Sequence, residues 1–370
     1  MTTRTPVTQS MMSTLINCEE RMRLRYLERF TSPPSKALRT GSAVHLGFEV
    51  GSADFAVRAF EEAAGPAWTD SEDLQIATDA AVVRALVEGG LRRWDRWPSR
   101  AEVEFRVPFL NPETGRPSSR HDFAGKIDGV FLPGEFGDNE VPVLLEIKTS
   151  SRLDSGYLER LDLDWQVSAY LAAASDLFGV PVRQMVYRIA RKPSIRPSAG
   201  ETLTEYRARV AARKPLAPPK RKTRRSRPTG GQQHDYDLLS DGTWEESLDA
   251  WEERRDARES ARRPLARRVP EGIEDFAKRL ADDYRERPDF YFEEVVLTRT
   301  DQQIDRWRYE AWEAHRRILR IEGGGMTIRN PHHCLDYGRC AFFDLCRGVI
   351  GPSAFSVRED IHPELEGTTT

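Results

Sequence analysis

Cysteine is scarce in this chain, with 4 in 370 residues, and no apolar run approaches the roughly 20 residues that a membrane-spanning helix needs. The first excludes a disulfide-stapled secreted scaffold, and the second excludes a helical membrane protein. The opening residues, MTTRTPVTQSMMS, lack the basic-then-apolar order of a signal peptide. Together these absences lead us to expect a cytoplasmic protein with no membrane partner. No G-x4-G-K-[ST] phosphate loop occurs, so an intrinsic helicase motor is not expected. Nor is there an excess of positive charge: 56 Lys and Arg stand against 59 Asp and Glu, for a net charge of −3. Any basic footprint for nucleic acid must therefore be local. What is present, 39% hydrophobic and 31% charged residues, is enough for a sizeable core spread over about two domains.

The most informative stretch is 124–148, AGKIDGVFLPGEFGDNEVPVLLEIK. It reads as two short strands, 124–132 and 141–148, joined by a turn rich in Gly and Pro. Side chains alternate along a strand, so Val143, Leu145 and Ile147 face one way while Glu146 and Lys148 face the other. If the strands pair as a hairpin, Asp128 and Glu146 meet on one surface with Lys148 beside them. Two carboxylates and an amine so placed form a site for Mg²⁺ or Mn²⁺. Such an ion polarises phosphoryl oxygens and acidifies bound water, and a lysine can orient or help deprotonate that water. A Glu-x-Lys on a strand is more commonly a solvated pair. Here, however, 141–147 is almost continuously apolar, the mark of a strand buried on both faces, and charges ending such a strand call for an explanation.

Around this hairpin the apolar periodicity predicts a first helix over 10–30, closed by Pro33 and Pro34. A helix capped by Thr40 or Ser42 carries His45 and Glu49 on one face at i, i+4, which makes His45 a candidate third metal ligand. Residues 71–97 read as a helix, 101–110 as a strand with Glu102 and Glu104 on one face, and 182–189 as another strand. Between them 157–178 reads as one helix with Gln166 and Tyr170 four residues apart, able to bond a phosphate or base, or each other. This order describes an α/β core with a mixed sheet flanked by helices. Late in the chain, 290–298 reads as a strand and 301–321 as a helix.

Cys334, Cys340 and Cys346 are spaced C-x5-C-x5-C, and Cys18 stands alone near the N-terminus. In a cytosolic protein a metal or cluster is a better reading than disulfides, and the paired C-x2-4-C knuckles usual for zinc are absent. Four unrelated buried thiols are the alternative. The run 214–227, KPLAPPKRKTRRSR, has seven basic residues and no acidic one. Its composition reads as a flexible, exposed segment that either is simply solvated or grips a DNA backbone in a salt-sensitive way.

These motifs resemble the PD-(D/E)XK nuclease superfamily in its RecB-like exonuclease branch, near the CRISPR-associated and AddB-type members that carry an iron–sulfur cluster. The residues that carry the resemblance are G-S-A-V-H ending at His45, G-K-I-D-G around Asp128, L-E-I-K with Glu146 and Lys148, and Q-V-S-A-Y with Gln166 and Tyr170. One cysteine before this core and three after it complete the pattern, although both C-terminal gaps are five residues, where AddB-like members place two cysteines closer together. The resemblance implies a restriction-endonuclease-like fold and a metal-dependent DNA exonuclease. His45, Asp128, Glu146 and the Ile147 carbonyl would be ligands for Mg²⁺ or Mn²⁺, Lys148 would activate water, and Gln166 and Tyr170 would position the DNA. Cys18, Cys334, Cys340 and Cys346 would hold a structural 4Fe-4S cluster. The implied partners are DNA and a helicase or recombination protein. A DNA-binding or assembly subunit with a vestigial site is the alternative. On this reading 1–35 carries the first cluster cysteine, 36–190 is the nuclease core, 191–289 is a basic and helical insertion, 290–350 returns to the core with the cysteine segment, and 351–370 is a tail.

Overall fold

Alternation of apolar and polar residues builds one central mixed sheet, and the strands follow in chain order. They are β1 (Thr5–Thr8), β2 (Arg100–Leu110), β3 (Pro117–Phe131), β4 (Val143–Ser150) and β5 (Gln184–Arg191); the short β6 (Arg221–Lys222), β7 (Tyr236–Leu238) and β8 (Trp244–Glu246) form a separate small sheet, and β9 (Phe292–Thr298) returns to the first. The computed structural model describes residues 4–32, 34–212, 219–222, 228, 235–260, 268–336, 338–362 and 365, without the side chains of 210, 211 and 258–260. It divides into two units, Met1–Arg196 with Ile273–Thr370, and Pro197–Gly272.

In the larger unit, β3 is the longest strand and organises the sheet. One edge pairs with β2 in antiparallel fashion. Its other edge is shared: β1 runs parallel to it from His121 to Ala124, and β4 runs antiparallel to it only from Gly129 to Phe131. Beyond β4 come β5 in parallel and β9 in antiparallel.

Helices cover both faces. In chain order they are α1 (Gln9–Asn17), α2 (Glu19–Met22), α3 (Lys36–Val50), α4 (Ala53–Ala64), α5 (Asp70–Arg93), α6 (Ser155–Leu161), α7 (Trp165–Phe178), α8 (Leu203–Ala211), α9 (Leu248–Ser260), α10 (Ile273–Glu286), α11 (Pro288–Tyr291), α12 (Asp301–Glu322) and α13 (Phe343–Cys346). One core joins Leu144 of β4 to α1, α7 and α12 through Met12, Leu171 and Ile318; the other joins Val143, Leu145 and Ile147 to α3, α4, α5 and α10 through Val44, Phe60, Leu86 and Leu280. The alternation along β4 thus feeds two helical layers, as a strand buried on both faces requires. Gly47 lets α3 approach closely: a Cβ there would lie 2.7 Å from side-chain atoms of both Ala56 and Val87. Among the described residues no helix is long and apolar enough to cross a membrane.

Four helical expectations need correction. The helix expected to start at a Thr40 or Ser42 cap starts earlier, at Lys36, because the Ser35 hydroxyl accepts the Leu38 amide at 3.2 Å. The helix expected over 10–30 is broken, because Cys18 is extended (φ −165°, ψ 114°) between α1 and α2, and a π-helical turn, Arg23–Leu27, follows. The helix expected over 157–178 is two, because the Asp164 carboxylate turns back to accept the Gln166 and Val167 amides at 2.8 and 3.2 Å and starts α7 anew. The helix expected to reach 97 stops at Arg93, and the next residues clasp a buried charge. Arg188 of β5 lies against both the Trp94 and Trp97 rings, 5.2 and 5.0 Å from their centroids, and bonds Glu294 and the Arg96 carbonyl at 2.7 Å each. No helix was expected at α4. Within 191–289, α10 packs Phe276, Leu280 and Tyr284 into the core of the larger unit.

In the smaller unit, β8 lies between β6 and β7, and the ion pairs Arg254–Glu246 and Arg209–Glu201 form. Most of the basic run 214–227 lies outside the described residues.

A buried polar chain ties β3 to α12. His121 Nδ1 is 3.1 Å from His315 Nε2, His121 Nε2 is 3.1 Å from Glu322 Oε1, and Ser118 Oγ is 3.2 Å from His315 Nε2. Burial, and then the neighbouring His121, push the His315 imidazole down to about 4. The unfolded chain therefore binds its proton more readily, so this contribution is complete above pH 6.5 and is lost as the pH falls toward 4. We expect unfolding free energy to drop by about 3 kcal/mol between pH 7 and pH 4 from this group. Urea titrations across that range check it, and His315→Gln should flatten the dependence.

Candidate active site

The partial pairing of β3 and β4 creates the site. After Gly129 and Leu145 the two strands part, so Asp128 and Glu146 lie at the mouth of a seam within the sheet. Asp128 bridges it: its Oδ2 accepts the Ile147 amide at 2.7 Å, replacing the backbone bond that the diverging strands cannot make. Into the seam comes His45 from α3, with Nδ1 3.5 Å from Asp128 Oδ2. From α7, in the opposite helical layer, the Gln166 side-chain amide donates to Glu146 Oε1 at 2.8 Å. The Lys148 ammonium makes a short ion pair with the same oxygen.

The structure therefore brings His45, Asp128, Glu146, Lys148 and Gln166 together. Tyr170 lies one turn beyond Gln166 and edge-on to Phe105. Ile147 takes part through its amide, bonded to Asp128; its side chain is buried in the α3 core.

Glu146 is 1% exposed, and its Oε2 has no hydrogen-bond partner. A buried carboxylate oxygen in that state is costly, so the site as built lacks an acceptor's complement. Burial, and then the neighbouring Asp128, push the Glu146 carboxyl up to about 7, against the pull of Lys148. Burial also acts against the charged forms of Asp128, His45 and Lys148. For Asp128 the attraction of His45 and Lys148 wins, and its carboxyl is lowered. For His45 the Asp128 carboxylate wins and raises the imidazole, and for Lys148 the two carboxylates hold the ammonium well above the usual lysine range. Two carboxylates, an imidazole and one unpartnered buried oxygen form a donor set suited to a hard divalent cation. Among the described residues, no three His, Cys, Asp or Glu side chains form a ready-made metal cage.

Several residues at the site were not legible as site residues. Glu102 adopts a left-handed backbone (φ 49°) between Ala101 and Val103, which pair with Gly129 and Ile127, so it sits across from Asp128. Lys126 pairs with Glu102 at 2.5 Å. Tyr187 faces Glu146 across the β4–β5 register. Alternation in β2 put Glu102 and Glu104 on one face; nothing local signalled the left-handed turn at Glu102.

The cysteines occupy a second locale. Cys18 caps the α1–α2 break, Cys334 ends a 3-10 turn, Cys346 ends α13, and the Cys340 amide donates to the Cys334 carbonyl at 2.8 Å. All four thiols are free. Burial and then the Cys340 and Cys18 thiols raise the Cys334 thiol, and burial, Glu20, Cys340 and Cys18 raise that of Cys346. Cys334 and Cys346 are thus each within electrostatic reach of Cys18 and Cys340, and among the described residues no three of the thiols close on a common point. The chain ends also meet through the backbone, since the Thr31 amide bonds the Ser356 carbonyl at 2.9 Å and the Arg358 amide bonds the Arg29 carbonyl at 3.0 Å.

No family model matches this chain, and no curated protein is similar enough to count as a relative.

Proposed function

We propose that this protein is a metal-dependent deoxyribonuclease of the PD-(D/E)XK type that acts as an exonuclease at DNA ends. The observation that carries this reading is the seam between β3 and β4, where Glu146 keeps a buried oxygen without a partner beside Asp128, His45 and Lys148. His45, Asp128, Glu146 and the Ile147 carbonyl are the residues that would hold Mg²⁺ or Mn²⁺. Bound there, the ion supplies Lewis-acid polarisation of a phosphoryl oxygen and acidifies water. Lys148 orients that water and offsets developing negative charge. Gln166 holds Glu146 in place, and Tyr170 borders the strand.

End-labelled single- and double-stranded DNA tests the reading with anaerobically prepared protein. The expected result is degradation that requires Mg²⁺ or Mn²⁺, stops with chelator and is lost in Asp128→Asn. DNA binding without cleavage in every condition would transfer the reading to a DNA-binding or assembly subunit.

Cys18, Cys334, Cys340 and Cys346 are proposed to hold a structural 4Fe-4S cluster that joins the N-terminal helices to the C-terminal segment. The four cysteines are free of disulfides, and as thiolates they are the donors such a cluster would take. The anaerobic protein should be brown, with about four iron and four sulfide per chain, and Cys18→Ser should lose both. Colourless protein with stoichiometric zinc would overturn the assignment.

A further inference from the structure

We infer that Arg39 anchors a backbone phosphate of the bound strand adjacent to the reacting one, an assignment that rests on the nucleic-acid reading of the site. A cavity of about 750 Å³ opens on His45, Asp128 and Lys148 and extends to Arg39, Ser10 and Thr149. Three cationic side chains line it. Lys148 is paired with Glu146 and Lys126 with Glu102, so their charges are already met by protein carboxylates.

Arg39 differs from both. Among the described residues it has no carboxylate partner, its Nε is shielded from solvent without any hydrogen-bond acceptor, and its Nη1 makes one long bond to the Pro34 carbonyl at 3.4 Å. A guanidinium carries five donors and no acceptor, in a planar fork that matches two phosphate oxygens. Arg39 lines the cavity with, among the described residues, no carboxylate on its guanidinium, so the fork is complementary to a phosphodiester. Arg39 precedes His45 by six residues on α3, which separates them by about 9 Å along the helix axis. Its acceptor is accordingly a different phosphate from the one beside His45 and Asp128. Arg39 is a positioning residue: it fixes the strand's register in the cavity and touches no reacting atom.

The test is binding of a short fluorescently labelled single-stranded oligonucleotide by the full chain, with chelator present so that cleavage does not enter. Affinity is followed between about 50 and 200 mM salt. Loss of one phosphate contact in Arg39→Gln should weaken binding about tenfold and reduce the magnitude of the log–log salt slope by about 0.7. Arg39→Lys should keep the slope and recover part of the affinity, because the charge remains while the fork is lost. Wild-type affinity and slope in Arg39→Gln would overturn the assignment. So would weaker binding at an unchanged slope, which marks a structural effect. Wild-type protein that binds but never cleaves would remove the nuclease reading and leave the Arg39 result standing on its slope. Wild-type protein that binds no oligonucleotide would remove both.

Discussion

On the proposed nuclease reading, Lys148→Ala is expected to lower metal-dependent DNA cleavage by about 10²–10⁴-fold in a protein that still folds. Two effects combine. The ammonium that orients water and offsets charge is gone, and so is the cation that pairs with Glu146 Oε1. Glu146 is already pushed up to about 7 by burial and by Asp128, with Lys148 pulling the other way. Without Lys148 its carboxyl rises further, so a larger share is protonated at neutral pH and cannot ligate a cation. Metal affinity should therefore fall together with the chemical step. The same logic sets an expected pH dependence in the wild type: if Glu146 is a ligand as proposed, Mn²⁺ would have to displace a proton from it, so its affinity should weaken as pH drops below about 7. Calorimetric Mn²⁺ titrations at pH 6 and pH 8 should show more proton release at pH 6. Equal affinity and equal release at the two values would remove Glu146 as a ligand. Unchanged cleavage in folded Lys148→Ala would remove the proposed mechanism.

The largest effect on stability is expected at Glu19. This carboxylate is 4% exposed, at the start of α2 and next to Cys18. Its Oε1 takes Arg317 at 3.0 Å, and its Oε2 takes Arg320 at 2.9 Å and the Ile328 amide at 2.9 Å. Although burial opposes its charge, these donors lower the Glu19 carboxyl below its ordinary range. One side chain thus joins the N-terminal helices, α12 and the segment that leads to Cys334. Glu19→Ala leaves the Ile328 amide without its acceptor and two arginines without their counterion, at a cost of about 3 kcal/mol. The arginines are themselves partly exposed, which keeps the figure at the lower end for a broken buried pair. Glu19→Gln should recover part of it, since its amide oxygen still accepts. Denaturant melts give the loss, and hydrogen exchange at Ile328 should rise in Glu19→Ala. A change within about 0.5 kcal/mol would show that the three contacts are dispensable.

Much of the larger unit was legible from local pattern. The alternation in 141–148 and 101–110 marked β4 and β2, and the apolar periodicity after Thr300 marked α12, where a Thr300–Gln303 capping box starts the helix. Asp128, Glu146 and Lys148 could be grouped from the chain alone, because an antiparallel hairpin with Gly129 opposite Leu145 places Asp128 beside Glu146. Helix breaks were less legible. At Cys18 and Asp164 the apolar spacing continues across the interruption, so periodicity reports one helix where hydrogen bonding makes two.

Chain-local chemistry therefore specifies the strands, the helical faces and the candidate carboxylates, since each depends on neighbours two to four positions away. The opening between β3 and β4 is a different matter. It exists because β1, more than a hundred residues earlier, occupies the edge of β3 that β4 would otherwise continue along. The same holds for the arrival of His45 and Gln166 from opposite layers, the Glu102–Lys126 pair, the Trp94–Arg188–Trp97 cluster and the unmet donor of Arg39. Those contacts are set by packing between remote segments, whose burial decides which polar groups find partners and which are left facing the cavity.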